Sequence, residues 1–424
     1  MHRRTFLGGS AGLAAAAAAP GAAPNARIQA ARDAALAVLK PSAKDLEHGL
    51  ELHANSLVIE PYGFSPRPAV DGDAIRQAIE TGASELELQD MTEDMSMTRC
   101  VASSAERQEY MDAWKASGIT CIFQNAGEES QDPMRLIKRL ARFTYTVDML
   151  GGFLRRAAAP DDIVAAHKAG QHCLYMSGNG VPLPGQWVSV EEELRYIRIF
   201  FQLGIRMMHL TYNRRNMIGD GCAEPGNAGL SDFGRAAVKE MNRVGVIVDV
   251  AHAGWQTSLE AAKASAKPMV ASHTCCAALN RHIRSKPDEV IRAIAGTGGF
   301  VGICAVGQFI GRTADIAAML DHIDYLVKRF GADHAAIATD SAYVSRNADA
   351  EYRKIPRRRQ VRPAWESFWP QNSYPGGPSH ASLAWSNWPL FTVGLVQRGH
   401  SDADIQKIIG GNALRVARAV LTVG

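Results

Sequence analysis

The chain has 424 residues, 46% hydrophobic and 21% charged, an ordinary globular composition long enough to bury a large core as one α/β barrel or as two domains. Its 46 Lys and Arg against 43 Asp and Glu leave a formal charge of +3, too small to argue for nucleic acid or a membrane surface as a partner. The one basic run, Arg357-Arg358-Arg359, is short, lies in a Pro- and Trp-rich stretch, and reads as a solvated loop.

The amino terminus reads His2-Arg3-Arg4-Thr5-Phe6-Leu7, then Gly8-Gly9-Ser10, an Ala-rich run to Ala19, and Pro20-Gly21-Ala22-Ala23-Pro24. A charged segment, an apolar segment and small residues are the parts of an export signal, and the paired arginines resemble the twin-arginine type. The apolar run is too short to span a bilayer. The expectation is that residues 1–24 are removed, with cleavage near Ala23, and that 25–424 form a single periplasmic barrel domain without a transmembrane segment. Seven cysteines, an odd number with no CxxC pair, do not indicate a disulfide framework; Cys121, Cys173 and Cys304 fall in apolar runs and read as buried small hydrophobes.

An apolar run followed by a helical stretch recurs eight times. The predicted strands are 49–55, 119–124, 172–177, 205–212, 246–252, 268–273, 299–305 and 334–340, with 56–60 as the alternative for the first. The clearest unit is 245–273: Val246 to Val250 is a β-branched run that leads to His252, and Met269 to Ala271 leads to His273. Fully apolar strands mark a parallel sheet buried on both faces, and the segment between suits one crossover helix. Helices are predicted over 190–204, opened by Ser189, and from Ser231 to Gly245, where Phe233, Ala237, Met241 and Val244 share one face. Another is predicted over 321–330. Eight alternating units point to a TIM-like (β/α)8 barrel, with C-terminal helices over 388–398 and 402–420 packed outside. Residues 345–380, rich in Arg, Pro, Trp and Gly, read as a long loop, either a lid or a surface excursion.

Strand ends carry the chemistry in such barrels. Here they offer His53, Asn55, Ser177, Tyr212, His252, His273 and Asp340. Three imidazoles and a carboxylate are a donor set for Zn²⁺ or a similar divalent ion, which would acidify water and polarise a carbonyl; Asp340 would take the proton. Bland readings compete: a packed histidine for each imidazole, a helix cap for Asp340, an ordinary barrel residue for Tyr212.

These residues carry a resemblance. Leu210-Thr211-Tyr212-Asn213, Gly229-Leu230-Ser231 with Phe233-Gly234, Glu240-Met241-Asn242-Arg243 with Asp249-Val250-Ala251-His252, Ala271-Ser272-His273, Gly298-Gly299-Phe300-Val301-Gly302 and Gly410-Gly411-Asn412-Ala413-Leu414-Arg415 resemble the membrane dipeptidase (renal dipeptidase) family of metallopeptidases, peptidase family M19. The resemblance implies a TIM-like barrel with two zinc ions that cleaves dipeptides, often tolerating a D- or dehydro-residue on the C-terminal side. It implies His252 and His273 on one zinc, His53 on the other, and Asp340 as ligand and proton relay. Arg284 would hold the substrate carboxylate with its bidentate fork, and Tyr212 would stand near the scissile carbonyl. Two positions depart from the family. Its first-strand His-x-Asp reads His53-Ala54-Asn55, and its bridging glutamate is Ser177, followed by Gly178. Neutral Asn55 and Ser177 cannot offset the repulsion of two close ions, so one ion is favoured over two. The expected function is metal-dependent hydrolysis of a small peptide-like substrate, with a homodimer left open. The alternative is a barrel that binds a small carboxylated ligand or performs non-hydrolytic chemistry.

Overall fold

The computed structural model describes residues 25–127, 132–357 and 378–421. The expected export segment 1–24 and the middle of the expected loop, 358–377, lie outside the described residues. No helix among the described residues is long and apolar enough to cross a membrane.

Nine parallel strands form among the described residues: β1 (Ile59–Gly63), β2 (Cys121–Asn125), β3 (Leu154–Ala157), β4 (His172–Gly178), β5 (Met207–His209), β6 (Ile247–Asp249), β7 (Ala271–Thr274), β8 (Val301–Ile303) and β9 (Ala335–Ile337). The order β1-β2-β4-β5-β6 makes one sheet and β7-β8-β9 a second, with β3 an extra strand on β4. Two seams join the sheets. Val250 N donates to Val270 O and Val270 N to Val248 O between β6 and β7; Asp340 N donates to Tyr62 O and Phe64 N to Ser341 O between β9 and β1. The result is the TIM-like barrel expected from the eightfold alternation. Its interior is filled by Ile59, Phe123, Tyr175, Met207, Ile247, Val270, Phe300 and Ala336.

Local rules account for the surrounding helices. Ser231 Oγ accepts from Gly234 N at 2.9 Å to start the helix Asp232–Val244, and Gly245, at φ 96°, ends it. The C-terminal helices pack outside the sheet. Trp388–Gln397 lies on Ala43–Ala54, so closely that a Cβ on Gly49 would sit 2.6 Å from Val393 Cα. Asn412–Val420 covers the amino-terminal end: Asn412 Nδ2 donates to Ala332 O and Ala335 O, at the start of β9, and Arg415 Nη1 to Gly298 O, just before β8.

The first strand needs a correction. Residues 49–55 are helical, belonging to Ala43–Ala54 with Asn55 as C-cap; the strand follows at Ile59–Gly63, nearer the alternative 56–60. Gly49, Leu52 and His53 turn one buried face toward the C-terminal helix, a helical spacing that the short apolar stretch disguises. The expected loop after β9 also begins with order: Ala348–Lys354 is a helix, tied down by Glu351 Oε2 accepting from Gly72 N at 2.9 Å.

Candidate metal centre

His252 and His273 follow β6 and lie in β7, and they meet. Their Nε2 atoms are 2.9 Å apart, both rings fully enclosed. On the far side, His252 Nδ1 is 2.8 Å from Asn213 Oδ1, and His273 Nδ1 is 2.8 Å from Ser272 Oγ. An amide oxygen only accepts, so His252 Nδ1 carries the proton and its Nε2 holds a lone pair. The Ser272 hydroxyl can turn either way. It donates to His273 Nδ1 while His273 Nε2–H donates to His252, or it accepts from Nδ1–H and leaves a second lone pair at the same point. In that second arrangement the two nitrogens suit one ion, since two imidazoles on a tetrahedral zinc stand about 3.3 Å apart with bonds of about 2.0–2.1 Å.

Electrostatics keep the pair neutral. Burial, then the Arg284 charge, hold both rings well below the usual imidazole range. Arg284 is itself buried against them: its Nη2 donates to His273 O at 3.0 Å and its Nε to Ala251 O at 3.4 Å. With two donors spent on these carbonyls, the guanidinium lies behind the imidazoles. Lys286, also enclosed, donates from Nζ to Ala253 O at 2.6 Å, and burial pulls it down to about 7.

The remaining expected residues divide. Asp340 reaches the centre, its Oδ2 3.9 Å from His273 Nε2 and its side chain 21% exposed, so water can reach it. It holds a left-handed backbone, φ 54°, uncommon outside glycine and concentrated at functional sites. Tyr212 stacks on His252, ring centroids 4.1 Å apart. Ser177 is the last residue but one of β4, enclosed, on the same face as the interior residue Tyr175. His53 does not join them. Its Nδ1 is 2.8 Å from Thr392 Oγ1 and its Nε2 2.9 Å from Ser117 O, a carbonyl just before β2 and therefore at the opposite end of the barrel. Both ring nitrogens are spent there and burial lowers the ring to about 4, so His53 is a packed core histidine, and Asn55 beside it is a helix cap. At the mouth β1 presents Tyr62 instead, its ring stacked on His273 at 3.8 Å.

Two residues escaped the sequence reading. His209 ends β5 and Asp249 ends β6, and they are direct register partners. Both are fully buried, with His209 Nε2 and Asp249 Oδ2 2.7 Å apart. Asp249 Oδ1 accepts from Ala251 N and Ser272 N. Nε2 and Oδ2 therefore match each other as a buried ion pair, while His209 Nδ1 has no hydrogen-bond partner among the described residues. Leaving that nitrogen unmatched costs about 1–3 kcal/mol. Burial alone would raise the Asp249 carboxyl; the nearby His209 and the Ser272 contacts outweigh it, and the group sits below the usual carboxylate range. Ligand atoms of His209, Asp249 and His273 all lie within 4.8 Å of one another. The signal was periodicity: Met207 and Ile247 face the interior, so His209 and Asp249, two residues on, face it too. The donors at this mouth, neutral imidazoles and carboxylates with open valences, fit a divalent ion.

Beside the mouth, a cavity of about 440 Å³ is lined by Phe64, Ser65, Arg67, Gln124, Arg139 and Tyr352, among others. Arg67 is exposed there, its guanidinium 4.7 Å above the Phe64 ring.

The profile of the membrane dipeptidases (Peptidase family M19) matches residues 81–349. Dipeptidase tcpJ of Claviceps purpurea is 27% identical over 63% of this chain and 55% of its own length, and dipeptidase verJ of Clonostachys rogersoniana 29% identical over 53% and 50%. The chain thus spans about half the length of these curated relatives. Among solved structures, an amidohydrolase from Pseudomonas aeruginosa superposes with TM-score 0.65 at 24% identity, covering 88% of this chain and 98% of that one. A metallopeptidase from Rhodobacter sphaeroides, liganded with a phosphinate mimic of L-Ala-D-Ala, superposes with TM-score 0.61 at 14% identity, covering 87% and 100%. These two show the fold. The profile match spans β2 to β9 with both histidines of the centre, and the chain belongs to the membrane dipeptidase family, peptidase family M19.

Proposed function

We propose that this protein is a metal-dependent hydrolase that cleaves the amide bond of a dipeptide or similarly small peptide-like substrate. The observation that carries the reading is the approach of two neutral, buried imidazole Nε2 atoms at 2.9 Å beside Asp340. A divalent ion, zinc by its fit to N and O donors, would be held by His252 and His273 and would supply Lewis acidity toward the scissile carbonyl and the attacking water. The chain's own residues do the rest. Asp340, reachable by solvent, accepts the water's proton at a carboxylate oxygen and returns it to the leaving amine. Tyr212, laid on His252, is assigned to the substrate carbonyl. Burial, reinforced by the Arg284 charge, keeps both imidazoles unprotonated and so ready to bind. Since Arg284 is buried beneath these residues, the substrate's carboxylate is assigned to Arg67 in the adjoining cavity.

The test is release of free amino acids from L-L, L-D and dehydro-dipeptides before and after chelation, with metal restored. Turnover that chelation abolishes, and that His252→Ala lacks, is expected. Turnover unaffected by exhaustive chelation refutes the reading. A second reading, a barrel that binds a small carboxylated ligand without cleaving it, is favoured by one observation, the neutral Ser177 where a bridging carboxylate is implied. Ligand-induced thermal stabilisation that persists in EDTA, without turnover, identifies it.

A further inference from the structure

Glu60 is a fully buried carboxyl that the proposed reaction does not use. Ile59 faces the barrel interior, so Glu60, next along β1, points outward beneath the helix Trp388–Gln397. It does not touch a substrate at the mouth. Its bonds run to the residue before Asp340: Oε1 accepts from Thr339 N and Oε2 from Thr339 Oγ1, both at 2.7 Å, while Trp388 Nε1 adds a third at 3.1 Å. Gly63 makes room for the carboxyl, since a Cβ there would stand 2.7 Å from Glu60 Cγ. Thr339 passes the constraint on. Its Oγ1 accepts from Ser341 N at 3.3 Å, its carbonyl accepts from Ala305 N at 3.0 Å, and Asp340 N donates to Tyr62 O. The residues on both sides of Asp340 are thus fixed through one threonine, and Asp340 between them keeps its left-handed φ of 54°. Outside glycine such a conformation persists only where the surroundings over-determine it.

We propose that Glu60, acting through Thr339, is a positioning residue for Asp340: it holds the left-handed turn that presents the Asp340 carboxylate to the mouth as proton acceptor. The inference rests on the hydrolytic reading above. A displacement of about 1 Å at a reacting group costs about 10²-fold in rate, so fixing the backbone beneath Asp340 acts on kcat and leaves substrate and metal binding alone. The competing role for Glu60, a tether between β1 and the helix Trp388–Gln397, uses only the bond from Trp388 and needs neither bond to Thr339.

The experiment measures kcat, KM and bound metal in the full chain, on the dipeptide of the panel above that is cleaved fastest. Glu60→Met and Thr339→Val are expected to lower kcat by about 10–100-fold with KM and metal content unchanged. Thr339→Ser, which keeps the hydroxyl, is expected to restore most of kcat, and Trp388→Phe, which removes only the tether, to leave it unchanged. A double-mutant cycle separates positioning from structure: added to Asp340→Asn, Thr339→Val should cost nothing further, because the group it positions is gone. Where Glu60→Met does not fold, Thr339→Val, a methyl in place of a hydroxyl, carries the test. The same fold-loss in both backgrounds overturns the proposal. So does wild-type kcat in Thr339→Val, or a loss in Trp388→Phe as large as in Thr339→Val. In each of these cases the hydrolase reading still stands if chelation abolishes turnover. No turnover of any dipeptide overturns both.

Discussion

Lowering the pH should weaken this fold through His53, by an amount the structure sets. The ring is 3% exposed, lodged between Thr392 and the Ser117 carbonyl, and burial lowers it from 6.5 to about 4. In the unfolded chain the ring titrates near 6.5. Between 6.5 and 4 the unfolded state therefore binds a proton that the folded state refuses, and stability falls as pH drops through that window. The shift of about 2.5 units corresponds to a loss on the order of 3 kcal/mol. Other buried histidines add to the wild-type loss, so the measurement is a difference. Urea denaturation of wild type and His53→Asn at pH 7, 5.5 and 4 should show the gap between them closing by about 3 kcal/mol, most of it below pH 6. Parallel loss in the two proteins would refute the assignment of His53 as a neutral core residue. So would loss of bound metal in His53→Asn at pH 7.

Glu60 should act with the opposite sign. It is fully enclosed, accepting from Thr339 N, Thr339 Oγ1 and Trp388 Nε1, and burial raises it to about 8. Its contribution is present below 4.5 and lost as pH rises through 8, on the order of 5 kcal/mol, so wild type should lose stability relative to Glu60→Gln between pH 5 and 9 in denaturation curves. Asp340→Asn should lower kcat by about 10²–10⁴-fold with metal content unchanged, and equal activity would remove it as proton acceptor. Asn213→Leu removes the acceptor behind His252 Nδ1 and should cost about 10–100-fold in metal affinity, read by competition with a chelating dye. Gly49→Ala should destabilise by about 1–3 kcal/mol in thermal melts, because its methyl would meet Val393 backbone and not a yielding side chain.

Much of this molecule was legible in one dimension. Continuous apolar runs such as 246–250 mark strands enclosed on both faces, and their regular alternation with capped helices marks a barrel. Ser231 and Gly245 bounded a helix to within one residue, since capping is a local bond made by neighbours in sequence. His252, His273 and Asp340 were found because barrel strands all point their carboxyl ends at one mouth. What the sequence could not decide was set by register and by packing at a distance. Whether residues 49–55 form strand or helix depends on Trp388–Gln397 lying over them, more than three hundred residues away, and that contact carries His53 to the wrong end of the barrel. The strands of β5 and β6 stop at His209 and Asp249, three residues before the ends inferred at Tyr212 and His252. Only the pairing of adjacent strands, which is a property of the closed sheet, places those two side chains opposite each other and within reach of His273.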